Sequence, residues 1–279
     1  SRMRLIGKNE KIENSLKELE RGLETFQSSN IWKDYLDTVA QFHNYSPCNC
    51  ILIKLQKPQS TYVAGYHTWK KLGRYVKKGE QGIAILAPVY KKIVKEVEIV
   101  SGEVEEVEET ILIGFKTVYV WDISQTEGEE LTLNIYNPLK GEAPEDLITA
   151  VEKYISSLGY LVVYGDCGKA EGYVQNSKKV VYINLNREPI TRLATLVHEL
   201  AHIILEPATK DEEEFEAESV SYVILKTFGI DTGQAAFPYI TIWHPTLKDF
   251  LERAEKVRRA SNIILENLEK YFLKTVDNV

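Results

Sequence analysis

His198 and His202 stand four residues apart around Glu199, in the stretch His198-Glu199-Leu200-Ala201-His202. On an α-helix, residues i and i+4 share one face a turn apart, so both imidazoles can reach one divalent ion. Glu199 falls one step round the helix, placed to act as general base on a water rather than to bind the ion. The flanking residues Leu193, Ala194, Leu196, Val197, Leu200, Ala201, Ile203, Ile204 and Leu205 make this helix apolar nearly all round. Its polar residues (Arg192, Thr195, His198, Glu199, His202) fall in a single stripe. Unpaired ionisable groups are costly on a helix buried on most sides, and a bound ion offsets that cost. The alternative, a chance motif of two core histidines bonded to backbone carbonyls, stays open but is weakened by the helical setting and the single stripe.

Zinc sites in hydrolases take three protein ligands and keep one position open. The acids of Lys210-Asp211-Glu212-Glu213-Glu214-Phe215-Glu216-Ala217-Glu218 supply candidates for the third. A second helix over 211–228 places its core stripe at Ala217, Val220, Ser221, Ile224 and Phe228. At ~100° per residue, Glu214 lies about 60° from the centre of that stripe, Glu218 is one turn further on the same flank, and Glu216 points away. An acid followed by another four residues on is similar to the gluzincin pattern, in which the first carboxylate binds zinc and the second holds a ligand histidine by its other ring nitrogen. Glu214 is therefore expected as ligand and Glu218 as that support, with the reverse assignment open. Glu213 also lies near the stripe, and His244 is a rival ligand. Acids at a helix N-terminus favour its dipole, which explains Asp211 and Glu212 but not Glu218. Tyr173, Tyr182 and Tyr222 are candidates to stabilise developing negative charge.

A different chemistry is suggested by residues 54–95. They carry ten Lys/Arg against one acid, Glu80, within a chain of net charge -7. Tyr62, Tyr66, His67, Trp69, Tyr75 and Tyr90 are interleaved with the cations. Cations neutralise phosphates and aromatic rings stack on unpaired bases, so the segment suits single-stranded nucleic acid without base readout. Lys54, Lys57, Tyr62, Tyr66, Trp69, Lys70, Lys71, Arg74, Lys77 and Lys78 are the expected contact residues. The competing reading is an ordinary basic surface with core aromatics, Trp69 in particular. Cys48 and Cys50 form a Cys-x-Cys with no second pair near it, which favours a structural role.

The elements that must position these groups follow from periodicity. Helices are expected over 10–28 (Ile12, Leu16, Leu19, Leu23, Phe26), 31–43, 145–158, 190–205, 211–228 and 246–273, with a short one around Trp69. Strands are expected over 83–87, a hairpin over 90–121 with an acidic turn, 160–164 and a hairpin over 172–185; the apolar run 49–56 reads equally as helix or strand. Residues 127–144, rich in turn formers, read as a linker between domains spanning 1–126 and 145–279. The fold class is α+β. At 44% hydrophobic and 27% charged the chain has the profile of a soluble globular protein. No apolar run approaches the ~18 residues of a membrane span, the first residues lack a signal-peptide core, and three cysteines cannot all pair, so a cytoplasmic setting is expected.

Residues 42–89, with their Tyr45-Ser46-Pro47-Cys48-Asn49 turn, Gln56-Lys57-Pro58, Trp69 and the Leu72–Glu80 turn, resemble the N-terminal single-stranded-DNA-binding domain of ArdC-type antirestriction proteins. Residues 118–128 resemble that domain's closing strand. The second half is similar to the metallopeptidase domain that follows in such proteins, itself similar to ImmA/IrrE zinc peptidases, on the strength of His198, Glu199, His202, the Glu214–Asp231 stretch, Tyr239 and Trp243. The resemblance runs through residues 10–275. It implies a small DNA-binding domain followed by a zincin-like metallopeptidase domain. It further implies a mobile-element or phage protein that binds single-stranded DNA and shields incoming DNA from restriction. Zinc or another divalent metal would sit on His198, His202 and Glu214, with Glu199 as general base. Two other readings stay open: a regulatory zinc protease that cleaves a repressor or restriction component, and a DNA-binding module whose metal is structural. Single-stranded DNA and a protein substrate are the expected partners, and no membrane.

Overall fold

The structure, a computed structural model, describes residues 5–24, 30–131, 145–205, 209–230 and 237–276, with the backbone alone for 238 and 272–276. Phe26 and most of the expected linker (132–144) lie outside the described residues. The fold is mixed α and β and divides into two compact units, Ser1–Leu19 with Ile51–Leu131 and Glu20–Cys50 with Thr132–Val279.

The first unit is organised by one long hairpin. Strand β4 (Ile83–Glu98) pairs antiparallel with β5 (Val104–Asp122), from Ile83 opposite Val120 to Glu98 opposite Val104. A β-bulge between Val89 and Tyr90 shifts the register. Short strands β1 (Leu5–Ile6) and β2 (Val63–Ala64) add to β5. Only the inner part of the hairpin has a core: Ile83, Ala84, Ile85 and Leu86 are buried, together with Ile12 of α1 (Glu10–Leu23) and Ile51, Leu52 and Ile53 of α3 (Pro47–Gln56). The apolar run left ambiguous by sequence is thus helical. Its last residue, Gln56, bonds both the carbonyl and the amide of Ala84, at 2.7 and 2.8 Å, in place of a neighbouring strand. Gly82 is required where it stands, because a Cβ would lie 2.8 Å from Tyr119 Cβ.

Asp122 closes this unit. Its carboxylate accepts from the amides of Thr61 (2.8 Å), Tyr62 (3.1 Å) and Ser124 (3.0 Å). Burial alone would raise its pKa, but these bonds and the Ser124 hydroxyl outweigh burial and hold it below the usual carboxylate range. The residues that follow depart from the sequence expectation. Thr126–Gly128, part of which was read as linker, form β6 and pair with β3 (Arg74–Val76). The three-residue strand is too short to show a period in sequence, and its pairing supplies what its composition lacks.

The second unit is a three-stranded sheet against helices. The strand order is β7 (Leu161–Gly165), β9 (Val180–Asn184), β8 (Gly172–Gln175), with β7 parallel and β8 antiparallel to β9. Helix α5 (Glu145–Ser157) precedes the sheet; α6 (Pro189–Ile204), α7 (Lys210–Thr227) and α8 (Leu247–Val276) follow it. Helix α2 (Ile31–Gln41) packs here rather than with the long hairpin, so the expectation of one continuous domain over 1–126 differs from the observed units. The reason is chemical. Trp32 is buried against Phe215, Trp243 and Phe250 and donates Nε1–H to Ser219 Oγ at 2.9 Å, while Tyr35 donates to the Ala254 carbonyl at 2.8 Å. Cys48 and Cys50 are free and buried, and burial pushes both thiols up to about 12. That suits packing, not metal ligation.

Candidate metal centre and basic surface

Helix α6 begins with Pro189 in its first turn and buries Leu193, Leu196, Val197, Leu200 and Ala201 completely. With those faces committed to the core, the stripe left over presents His198 and His202 to the N-terminal half of α7. Their Nε2 atoms stand 3.0 Å apart. One carboxylate bridges them: Glu214 Oε1 lies 3.2 Å from His202 Nε2 and Glu214 Oε2 lies 3.4 Å from His198 Nε2. Three ligand atoms around a tetrahedral ion at ~2.0–2.1 Å are separated by about 3.3 Å. The spacing and donor set therefore fit a divalent cation, and His198, His202 and Glu214 are the group among the described residues that could hold one.

Each imidazole is fixed from behind. His198 Nδ1 is 3.1 Å from Glu218 Oε2, and His202 Nδ1 is 3.1 Å from Glu213 Oε1. Carboxylates on the outer nitrogens orient both rings so that Nε2 faces the shared point. The sequence places Glu213 near the stripe only as a further candidate ligand, whereas in the structure it stands behind His202 on the outer nitrogen. Only the helix phase beside His202 separates it from Glu212, which instead pairs with Arg253 at 2.9 Å. Glu216 turns away from the histidines as expected, yet it is buried between Arg253 (3.3 Å) and Lys256 (2.7 Å) of α8. His244 is exposed and stands apart from the cluster, because its neighbours Trp243 and Pro245 are the residues that turn inward.

The ionisation of the cluster follows from crowding. Burial disfavours a proton on His198, but the Glu218 hydrogen bond and the charges of Glu199, Glu218 and Glu214 outweigh it and raise its pKa. Glu199 is buried, which raises its pKa; the two histidines oppose that, Glu214 reinforces it, and a backbone bond from Val174 opposes it. A cleft of about 480 Å³ opens over these groups, walled by β8 residues Gly172, Tyr173 and Val174 and by Asn176. Tyr173 is 47% exposed and lines it, with Tyr182 stacked behind at 4.8 Å. Tyr222 lies on a neighbouring cavity of about 320 Å³ and donates its hydroxyl to Asp37. Asn176, which the sequence did not single out, accepts from Tyr160 OH at 2.8 Å through its carbonyl oxygen.

The residues expected to contact nucleic acid divide into two sets. Trp69 in α4 (Tyr66–Lys71) is fully buried and donates Nε1–H to the Trp121 carbonyl at 2.9 Å. It is core, not a stacking platform: the apolar side of a one-and-a-half-turn helix must seat on β5. Arg74 is spent on the β3–β6 ribbon, bonding Thr126 Oγ1 (2.9 Å), the Thr126 carbonyl (3.1 Å) and the Glu129 carbonyl. Lys54 reaches the Ser60 carbonyl at 3.0 Å. Tyr62 is half-buried, edge-on to Trp69. Tyr66, Lys70, Lys71 and Lys78 are exposed, and Lys57 and Lys77 partly so. These six keep the basic surface.

Residues 9–121 match the family model of the N-terminal domain of anti-restriction factor ArdC. That class of domain thus accounts for the long hairpin, its flanking helices and the basic segment. The particular relatives extend further. The chain is 28% identical to an uncharacterized protein, pXO2-81, of Bacillus anthracis over 86% of its own length and 46% of the relative's, so it spans about half the length of that curated relative. Among solved structures it is similar to the antirestriction ArdC protein of plasmid R388. The metal-free form matches at TM-score 0.49 and 21% identity, covering 81% of this chain and 86% of that one. The Mn(II)-bound form matches at 0.49 and 19%, covering 80% and 85%.

Proposed function

We propose that this chain is an ArdC-like antirestriction protein of a mobile element or phage. In this reading it binds single-stranded DNA non-specifically through residues of the 1–126 part and carries a zincin-like, ImmA/IrrE-like metallopeptidase domain over 145–279. The observation that carries the metal half is the convergence of His198, His202 and Glu214 with a separate carboxylate behind each ring. The ArdC match over 9–121 supports the antirestriction half, and the exposed lysines beside Tyr66 support a polynucleotide strand as its ligand.

His198, His202 and Glu214 would hold the divalent ion, zinc or manganese, and Glu218 and Glu213 would keep the ring nitrogens aimed. When bound, the ion supplies Lewis-acid polarisation of a carbonyl and acidifies water. Glu199, buried and with a raised pKa, takes a proton from the attacking water and returns it to the leaving amine. Tyr173 and Asn176 line the same cleft and are the candidates to stabilise negative charge developing on a bound carbonyl. The setting is cytoplasmic, in keeping with three free thiols.

The test combines elemental analysis with titration of labelled single-stranded and duplex oligonucleotides, on the native chain and Glu199→Gln. The reading expects one ion per chain, tighter binding to single strands, and DNA protection in both proteins. Loss of protection in Glu199→Gln, with metal and DNA binding intact, would favour the regulatory protease, for which the cleft beside Glu199 speaks. Absence of metal and of single-strand preference would overturn the proposal.

A further inference from the structure

Among the described residues, no third strand pairs with the outer part of the β4–β5 hairpin, an arm of two strands. From Tyr90 opposite Leu112 to Glu98 opposite Val104 the pairing is regular, yet Val97 and Val107 on one face are 43% and 45% exposed, and Leu112, Val104 and Val94 on the other 51–62%. A two-stranded ribbon with no third layer is only marginally stable in water, so its apolar residues call for a partner.

Side chains alternate between faces along each strand, and the register assigns them. One face carries Lys91 beside Ile111, Ile93 beside Glu109, Lys95 beside Val107, and Val97 beside Glu105. Every rung of this face holds one charged and one apolar residue, and the charges alternate in sign from root to tip. Lys95 and Glu109 already form an ion pair along it. The opposite face is different: Glu96 stands opposite Glu106, with Glu98 and Glu108 nearby and Lys92 as the single cation. Like charges repel there.

We infer that two copies of this chain pair through the Lys91–Glu105 face, with their arms antiparallel about a two-fold axis. Antiparallel overlay sets the Lys91/Ile111 rung on the partner's Val97/Glu105 rung, and the Ile93/Glu109 rung on the Lys95/Val107 rung. Each lysine rung then meets a glutamate rung, and each apolar residue has an apolar one in the facing rung. Parallel overlay places every charge against its like. The other face, dominated by glutamates, repels a second copy in either direction. A two-fold pairing of one patch with itself closes at a dimer. Four rungs span about 20 Å at ~3.3 Å per residue, which makes a contact well below the ~1,600 Å² of a standard interface. The dimer is therefore weak, concentration-dependent and salt-sensitive.

Sedimentation of the full chain at increasing concentration, in low and high salt, measures the dimer. Lys91→Glu with Lys95→Glu makes the face wholly acidic, and Glu105→Lys with Glu109→Lys makes it wholly basic. Each variant alone is expected to dimerise at least tenfold more weakly than the native chain, and an equimolar mixture of the two to recover native affinity or better. Glu96→Lys with Glu106→Lys, on the opposite face, is expected to leave the dimer within about twofold. Circular dichroism checks that each variant is folded. A native chain that stays monomeric at hundreds of micromolar in low salt, or folded reversal variants that fail to associate when mixed, would overturn the inference. So would a native chain that remains monomeric while its arm binds an unrelated basic protein.

Discussion

The histidine–glutamate cluster and the basic segment are both rich in charge, and they are built in opposite ways. In the cluster, five side chains from two helices fix one another: two imidazoles share a carboxylate on one side and each has a private carboxylate on the other. In the basic segment, the exposed Lys70, Lys71 and Lys78 project separately, while Lys54, Trp69 and Arg74 make specific contacts with the chain itself. In the proposed function, mutual fixation makes a point that would recognise one small ion by geometry. Independent cations, in the same reading, would make a surface that recognises only the sign and spacing of phosphates. Substitutions should therefore act as a unit in the first region and add up in the second.

The largest effect is expected at the bridging carboxylate. Glu214→Ala removes one of three ligands and leaves His198 and His202 facing each other, so the purified variant should contain no stoichiometric metal by elemental analysis. Next is Trp69→Ala, which empties a core position and should cost about 3–5 kcal/mol in denaturant unfolding. If instead it weakened DNA binding with stability unchanged, Trp69 would belong to the surface. Glu218→Gln and Glu213→Gln should each lower metal affinity by roughly 10–100-fold in competition with a chelator. Equal losses would confirm that each imidazole depends on its own support.

Asp122 provides a pH-dependent contrast within the basic unit. Its pKa is lowered on folding, so its contribution is present in full above the unfolded value near 3.9. It disappears as pH falls through the lower folded value. Asp122→Asn should flatten that part of the stability profile. The smallest effects belong to the exposed lysines. Removing Lys70, Lys71 and Lys78 together should reduce the salt slope of single-strand binding by about 2, at ~0.7 per phosphate contact. A collapse of binding on removing one of them would break the contrast.

How much of this was legible beforehand depended on rigidity. That His198, His202, Glu214 and Glu218 lie close together could be read because a helix converts spacing into direction with a fixed 3.6-residue period. Glu213 was legible as lying near the stripe, but its place behind His202 was not, because its neighbours are acids too. In the basic segment no such rule applied. The short helix Tyr66–Lys71 carries aromatics and lysines on all sides, and only the seat of Trp69 on Trp121 decides which side is inside. The β3–β6 ribbon was invisible because Thr126–Gly128 has no pattern of its own and exists through the Arg74 contacts. The grouping of α2 with the later helices was equally hidden, since an amphipathic stripe says that a face is buried without saying against what.

X-ray absorption at the metal edge of protein loaded with one equivalent of zinc or manganese tests the central claim most directly. Two imidazole nitrogens and at least one oxygen, at the ~2.0–2.2 Å characteristic of such ligands when zinc is bound, are the expected shell, reduced to a single imidazole in His202→Ala. A shell of oxygen alone, or one that His202→Ala leaves unchanged, would contradict it.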